Sequence, residues 1–150
     1  MLLKSDDLSL GDAMKLLTDA PSGAGALDLA VLQVIRRHAL SVPVWWRSAF
    51  TRDVRKAKKL IPDGWTLCST ESYPSWCSAH FVRKDLSGIF SEDLRPEEIV
   101  ERTRSYMGNT EALAVCIGAL DLTRQVVEEH EAQARERRPM RLSERLSVSH

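Results

Sequence analysis

Apolar residues recur along this chain at two spacings, and the changes between them divide it into elements. Leu10, Ala13, Met14 and Leu17 share one helical face. Ser9 precedes that run and Asp12 stands three residues after it, a capping box with Asp where Glu or Gln is usual, so a helix over 10–19 is predicted. The cluster Pro21, Ser22, Gly23 and Gly25 breaks it, and Leu27, Ala30, Val31, Val34 and Ile35 restart the helical spacing. Asp28, Gln33, Arg36 and Arg37 are assigned to the opposite, polar face. Leu29 and Leu32 widen the apolar surface beyond one stripe and predict contact on two sides, with a sheet and with the first helix. Pro43 closes this helix, because the residue before a proline is pushed out of the helical region. Val44, Trp45 and Trp46 then read as a short extended segment.

The stretch 50–67, FTRDVRKAKKLIPDGWTL, is the expected organiser of the fold. Thr51 stands where it would cap a helix whose Val54, Ala57, Leu60 and Ile61 share a buried face; Pro62-Asp63-Gly64 turns the chain, and Trp65 opens a strand. From there the spacing changes to two. Residues 65–69 and 76–82 read as a hairpin, with Cys77, Ala79 and Phe81 toward the core and Trp76, Ser78, His80 and Val82 half exposed. Cys68 faces the same core as Cys77 if the strand register allows it. Residues 84–92 read as a loop with room for a very short third strand. Pro96, with Glu97 and Glu98 after it, marks a new helix start, and Ile99, Thr103 and Met107 fall on one face, so a helix is predicted as far as Gly108. Asn109-Thr110 caps a final helix in which Leu113, Cys116, Ile117 and Leu120 form a stripe while Ala112, Ala114, Gly118 and Ala119 keep its flanks small. This is the expected best-buried helix. Beyond Val127 the stripe ends. The expected fold is α+β, a small antiparallel sheet covered by helices, as one domain over 1–127. A charged extension occupies 128–150, helical and exposed as far as Pro139 and frayed or disordered after it.

Charge and cysteine content narrow the function classes. Lys plus Arg and Asp plus Glu balance at 21 each in the 150 residues, so no whole-protein field draws the chain to nucleic acid or anionic lipid. One dense local patch exists, Arg52, Arg55, Lys56, Lys58 and Lys59, which reads first as a solvated helix face and second as a contact for nucleic acid or an acidic partner. No apolar run approaches the roughly 18 residues of a membrane span, and Lys4, Asp6 and Asp7 interrupt any leader-like run at the start. A cytoplasmic protein is expected. Cys68, Cys77 and Cys116 are an odd, irregularly spaced set, which predicts reduced thiols rather than a disulfide framework.

Catalytic chemistry finds no foothold in the pattern. Walker loops, nucleophile elbows and His-Glu-x-x-His are absent from the sequence. Asp85, Glu92, Asp93, Glu97 and Glu98 cluster where capping and solubility explain them. Cys68, Cys77 and His80 have thiolate and imidazole chemistry that suits zinc, but residues three apart on a strand face opposite ways and no fourth ligand is at hand. Neither a metal nor another cofactor is expected. The four tryptophans are the more informative feature. Adjacent Trp45 and Trp46 in an extended segment point opposite ways, so one of them is left to be covered or to serve, with Arg47 and Tyr73, as an interaction anchor. The candidate partner-binding residues are therefore Trp45, Trp46, Arg47 and Tyr73, together with Arg52, Arg55, Lys56 and Lys59.

Three separated segments also stand in a recognisable order: Leu27-Asp28 within LSLGDAMKLLTDAPSGAGALDLAV, Leu60-Ile61-Pro62-Asp63-Gly64-Trp65, and TEALAVCIGAL from Thr110 to Leu120. Together they resemble the phage ABA-sandwich family and its prophage relatives over about 8–124. The chain departs from that pattern at Glu111, where the family has proline, and over 91–107, where a predicted helix replaces a strand and loop. The resemblance implies an α+β sandwich, a phage or prophage origin and no catalytic residues. The expectation is a non-enzymatic accessory protein that binds a protein partner, with inhibition of a host defence system as the favoured form. A nucleic-acid-binding regulator using the basic face at 52–61 and a virion or assembly component are the alternatives.

Overall fold

The first helix forms where its cap is encoded. In the computed structural model, which describes residues 8–38, 48–84, 97 and 101–148, with His38 and 137–148 as backbone alone, α1 spans Leu10–Asp19. Ser9 Oγ accepts from the Asp12 amide at 3.1 Å and the Asp12 carboxylate accepts from the Ser9 amide at 3.2 Å, so both halves of the capping box are made. The Ser9 amide, then its hydroxyl, holds the Asp12 carboxyl below its ordinary range. Helix α2 spans Gly25–His38 and buries Val31, Leu32, Val34 and Ile35. Leu29 faces out, so only half of the predicted second contact surface exists.

The helix predicted over 51–61 is much shorter. α3 covers only Val54–Ala57 before tightening into a 3-10 turn at Lys58–Leu60. Its cap is Asp53, whose carboxylate accepts from the Arg55 amide at 2.9 Å, not Thr51, which is buried and bonded elsewhere. Ala57 and Leu60 are buried as the spacing required. The turn at 62–64 also forms, with the Trp65 amide donating to the Pro62 carbonyl at 3.3 Å. Gly64 sits there at φ +96°, where a side chain would be strained.

Strands β1 (Trp65–Ser72), β2 (Cys77–Arg83) and β3 (Thr103–Gly108) form an antiparallel sheet in that order, so β2 is central. β1 runs three residues further than the pattern indicated, which shortens the hairpin loop to 73–76. Pairing shifts between Leu67 and Ser69, a bulge that leaves Cys68 out of register and exposed rather than beside Cys77. The inner face of β2 is as predicted: Cys77, Ala79 and Phe81 are buried. On its other face Ser78 is buried instead of half exposed, while His80 and Val82 are partly covered.

β3 corrects the prediction of a helix running to Gly108. Ile99, Thr103 and Met107 imitate helical spacing, but Thr103 through Gly108 pair with Val82 through Cys77 along the whole of β2. The same six residues alternate, placing Tyr106 opposite Ala79 on the inner face and leaving Met107 exposed. Before the strand, Glu97 and Glu101 are helical.

The last helix, α4, spans Glu111–Val148. Thr110 Oγ1 accepts from the Leu113 amide at 3.2 Å, and the Asn109 side chain donates to the Ala20 carbonyl at 2.7 Å, tying the start of α4 to the end of α1. Every residue from Ala112 through Thr123 is buried. α4 touches all three strands as well as α1, α2 and α3, so it, and not the 50–67 stretch, is the element on which the others rest. Its contact with the sheet is closest at Gly118, where an added Cβ would lie 2.3 Å from the Phe81 ring and 2.8 Å from Tyr106. Those two rings meet edge to face, 5.7 Å between centroids. Residues 128–136 are exposed, and the helical backbone continues past Pro139 instead of ending there. Among the described residues no helix is long and apolar enough to cross a membrane.

Candidate functional site

The β1–β2 register brings two aromatic residues to the ends of a four-residue loop. Ser72 pairs with Cys77, and the Tyr73 amide donates to the Trp76 carbonyl at 2.8 Å, which closes the loop. The Tyr73 and Trp76 rings stack with centroids 4.2 Å apart and planes 22° from parallel, yet the residues remain 42% and 38% exposed. Surrounding bonds fix the pair. The Tyr73 hydroxyl donates to Glu71 Oε2, and the Ser72 hydroxyl donates to Glu111 Oε1 at 2.6 Å, joining the tip to the first turn of α4. The hydrogen bond to Glu71, then the carboxylate's charge, pushes the Tyr73 hydroxyl pKa up. Met107, 66% exposed, lies opposite Ser78 and so within two residues of Trp76 along the ladder. Two rings already held against each other lose little rotamer freedom on association, and aromatic and Met side chains are the residues enriched at the centres of interfaces.

Next to the tip, the outer face of the sheet carries a polar row. His80 Nδ1 lies 2.8 Å from Ser105 Oγ, while Nε2 lies 3.2 Å from Ser78 Oγ and 3.4 Å from Glu71 Oε1. A serine, a histidine and a carboxylate in sequence have the order of a nucleophilic triad. Their setting differs from one. They sit across three strands of an open face, and the amides of the central strand are committed to its two ladders, so β2 has no donor to offer a developing oxyanion. The row ties the three strands together and orients His80.

The cations predicted as one patch are divided by their partners. Arg52 donates to Asp28 Oδ2 through Nε at 2.9 Å, with its terminal nitrogen 2.7 Å from the same oxygen. Arg55 pairs with Asp53 at 3.4 Å, and its hydrogen bonds hold that carboxyl below the usual range. Lys56 is partly buried and Lys59 exposed. With α3 a single turn long, these residues do not form an extended basic helix face. Trp45, Trp46 and Arg47 lie outside the described residues. Among the described residues Tyr73 stacks on Trp76.

Asp28, assigned by polarity to the solvent side of α2, is buried. Its Oδ1 accepts from the Thr51 amide at 2.7 Å and from the Thr51 hydroxyl at 2.5 Å, while the Ala24 amide donates to Thr51 Oγ1 at 3.1 Å. One carboxylate thus replaces water for a buried turn. A signal was present in the spacing: Asp28, Val31, Leu32 and Ile35 stand at i, i+3, i+4 and i+7, so Asp28 occupies the buried stripe. Arg52 beside it lines two surface cavities. One, of about 350 Å³, is bordered by Gly25, Leu29, Leu32 and Ala49; the other, of about 400 Å³, by Gly23, Val54, Thr110 and Glu111.

Cys77 and His80 lie on opposite faces of β2, and Cys68 is turned out by the bulge, so the three do not converge. Among the described residues no group of three His, Cys, Asp or Glu side chains is placed to hold a metal ion. A second polar cluster closes the inner face where β3 meets α4. The Tyr106 hydroxyl donates to Asp121 Oδ2 at 2.6 Å, Gln125 donates to the same oxygen at 2.8 Å, and Arg124 donates to Oδ1. Burial pushes the Asp121 carboxyl up, but these three donors and the Arg124 charge outweigh it and hold it below its ordinary range. The Tyr106 hydroxyl is raised well above its ordinary value, by burial first and by Asp121 second.

Compared with family models, with curated proteins and with solved structures, the chain shows no match.

Proposed function

We propose that this protein acts without catalysis, as an accessory protein that binds a protein partner through the β1–β2 hairpin tip. The stacked, exposed Tyr73–Trp76 pair carries the reading: two large rings, immobilised by bonds to Glu71 and by their mutual contact, stand in solvent beside Met107. The phage or prophage setting rests on the resemblance of three segments alone. Inhibition of a host defence system is the form favoured, since phage accessory proteins of this size commonly serve it.

Affinity capture from a bacterial host lysate tests the surface. Wild type retains a stoichiometric partner, Tyr73→Ala with Trp76→Ala loses it, and Lys56→Glu with Lys59→Glu keeps it. Loss in the lysine variant but not in the aromatic one would replace this reading with one centred on the basic residues. A mobility shift with duplex DNA or RNA, steeply weakened by salt, would then identify nucleic acid as the ligand.

A further inference from the structure

Two side chains of opposite charge line the cavity of about 400 Å³ at the start of α4: Arg52, from the segment before α3, and Glu111, from the first turn of α4. Each is held at one edge. The Arg52 guanidinium meets the Asp28 carboxylate through Nε at 2.9 Å and Nη2 at 2.7 Å, while among the described residues no acceptor takes Nη1. Glu111 Oε1 accepts from the Ser72 hydroxyl at 2.6 Å, and among the described residues no donor reaches Oε2. We propose that this cavity binds a small aliphatic amino acid, its carboxylate on Arg52 and its ammonium on Glu111. The site is distinct from the hairpin surface and stands whether or not that surface binds a protein.

Three observations carry the ligand class. First, the charges are set in place before a ligand arrives. Asp28 is buried and also accepts from the Thr51 amide at 2.7 Å, so the carboxylate that holds Arg52 is itself fixed. Gly23 packs so closely on the same segment that an added Cβ would lie 1.9 Å from the Thr51 carbonyl oxygen, which keeps that wall rigid. Groups held in this way lose little freedom on binding. Second, both groups are reachable. The Arg52 side chain stays 55% exposed despite its ion pair, and Glu111 is half-buried. Third, the signs select. An anion alone would gain Arg52 but face Glu111 and Asp28, and a cation alone would gain Glu111 but face Arg52, whereas a zwitterion leaves neither group opposed. Val54 and Ala112 supply apolar lining for a short aliphatic side chain, and the volume lies within the range of small-molecule cavities. The cavity of about 350 Å³ that shares Arg52 is not lined by Glu111 and so lacks this pairing.

Isothermal titration calorimetry of the full chain with L-leucine tests the site, alongside two analogues that each lack one charge. 4-Methylpentanoate lacks the ammonium and 3-methylbutylamine lacks the carboxylate. L-Leucine is expected to bind at least about tenfold tighter than either, the factor that one lost charge-assisted hydrogen bond allows. Glu111→Gln keeps an acceptor for Ser72 and removes the charge, so it weakens L-leucine by about tenfold while 4-methylpentanoate binds as tightly as before or tighter. Arg52→Gln weakens L-leucine by a similar factor and spares 3-methylbutylamine. Unfolding would weaken all three ligands together, so this crossed pattern separates recognition from damage; should Arg52→Gln fail to fold by circular dichroism, Glu111→Gln decides alone. γ-Aminobutyrate, whose charges stand further apart, distinguishes an α-amino acid from an ω-amino acid, with butyrate and propylamine as its matching analogues. The proposal is overturned if neither L-leucine nor γ-aminobutyrate binds at roughly 10 mM, if an analogue with one charge binds as tightly as its zwitterion, or if Glu111→Gln leaves the zwitterion's affinity unchanged.

Discussion

The two faces of this sheet are made by alternate residues of the same strands, and they are built for different purposes. On the inner face Phe81, Ala79 and Tyr106 close on α4 so tightly that residue 118 has no room for a methyl group. On the outer face His80, Ser105 and Met107 meet hydroxyls, a carboxylate or water. Packing energy is therefore concentrated on one side, and the other side is free to vary in composition at little loss of stability. That freedom allows exposed aromatic and sulfur-containing side chains to gather at the hairpin end without weakening the fold.

Substitutions that cross from one face to the other break or sharpen the comparison. Gly118→Val drives two methyl groups and a Cβ into the Phe81 and Tyr106 rings and is expected to destabilise by about 3 kcal/mol, the upper end for overpacking, as read by urea unfolding. Removing the buried carboxylate in Asp28→Ala leaves the Thr51 amide and hydroxyl without their acceptor and should lower stability by about 2–3 kcal/mol, whereas Asp53→Ala, which removes a surface cap, should lower it by clearly less. If the two aspartates gave equal losses, the difference between a buried acceptor and a surface cap would not hold.

Asp121 adds a pH-dependent version of the contrast. Its folded pKa is depressed below the ordinary 3.8, so its contribution is present above about pH 4 and is lost as the pH falls through the folded value. The melting temperature of wild type should therefore drop more steeply below pH 4 than that of Asp121→Asn, with the two curves converging in acid. On the outer face the expected effects are smallest. His80→Ala with Ser105→Ala removes exposed or half-exposed hydrogen bonds and should change stability by less than about 1 kcal/mol. The single variant Ser105→Ala tests the triad-like order of these groups: turnover of an activated ester by wild type that disappeared in it would move the function from binding to hydrolysis.

Much of the inner face could be read from the order of residues, because burial imposes periodicity. Cys77, Ala79 and Phe81 alternate, Leu113 through Leu120 repeat at helical spacing, and the Ser9–Asp12 box carries its own geometry. Where the reading failed, polarity or spacing was ambiguous. Thr103 and Met107 suit a helix face and a strand edge equally well, and only pairing with β2 decides between them. Asp28 and Thr51 satisfy each other across 23 positions of chain, a match that a polar residue's own neighbours do not reveal. A single extra residue at Cys68 displaced one side chain, and no turn residue announced it. Of the candidate site, Tyr73 was legible as an exposed aromatic. Its stacking on Trp76 was not, because the loop length that brings the rings together depends on where β1 stops.

The three thiols give this molecule an internal clock. Cys68 stands in solvent on the bulge, Cys77 is buried beneath the sheet with its sulfur 3.7 Å from the Ser72 hydroxyl, and Cys116 donates to the Phe50 carbonyl at 3.1 Å in the centre of the core. Burial pushes the Cys116 thiol far above its ordinary pKa and so away from the reactive thiolate. An alkylating reagent would thus mark Cys68 at once, Cys77 when the strands part, and Cys116 only when α4 leaves its socket. The order in which mass is added would report how the structure comes undone.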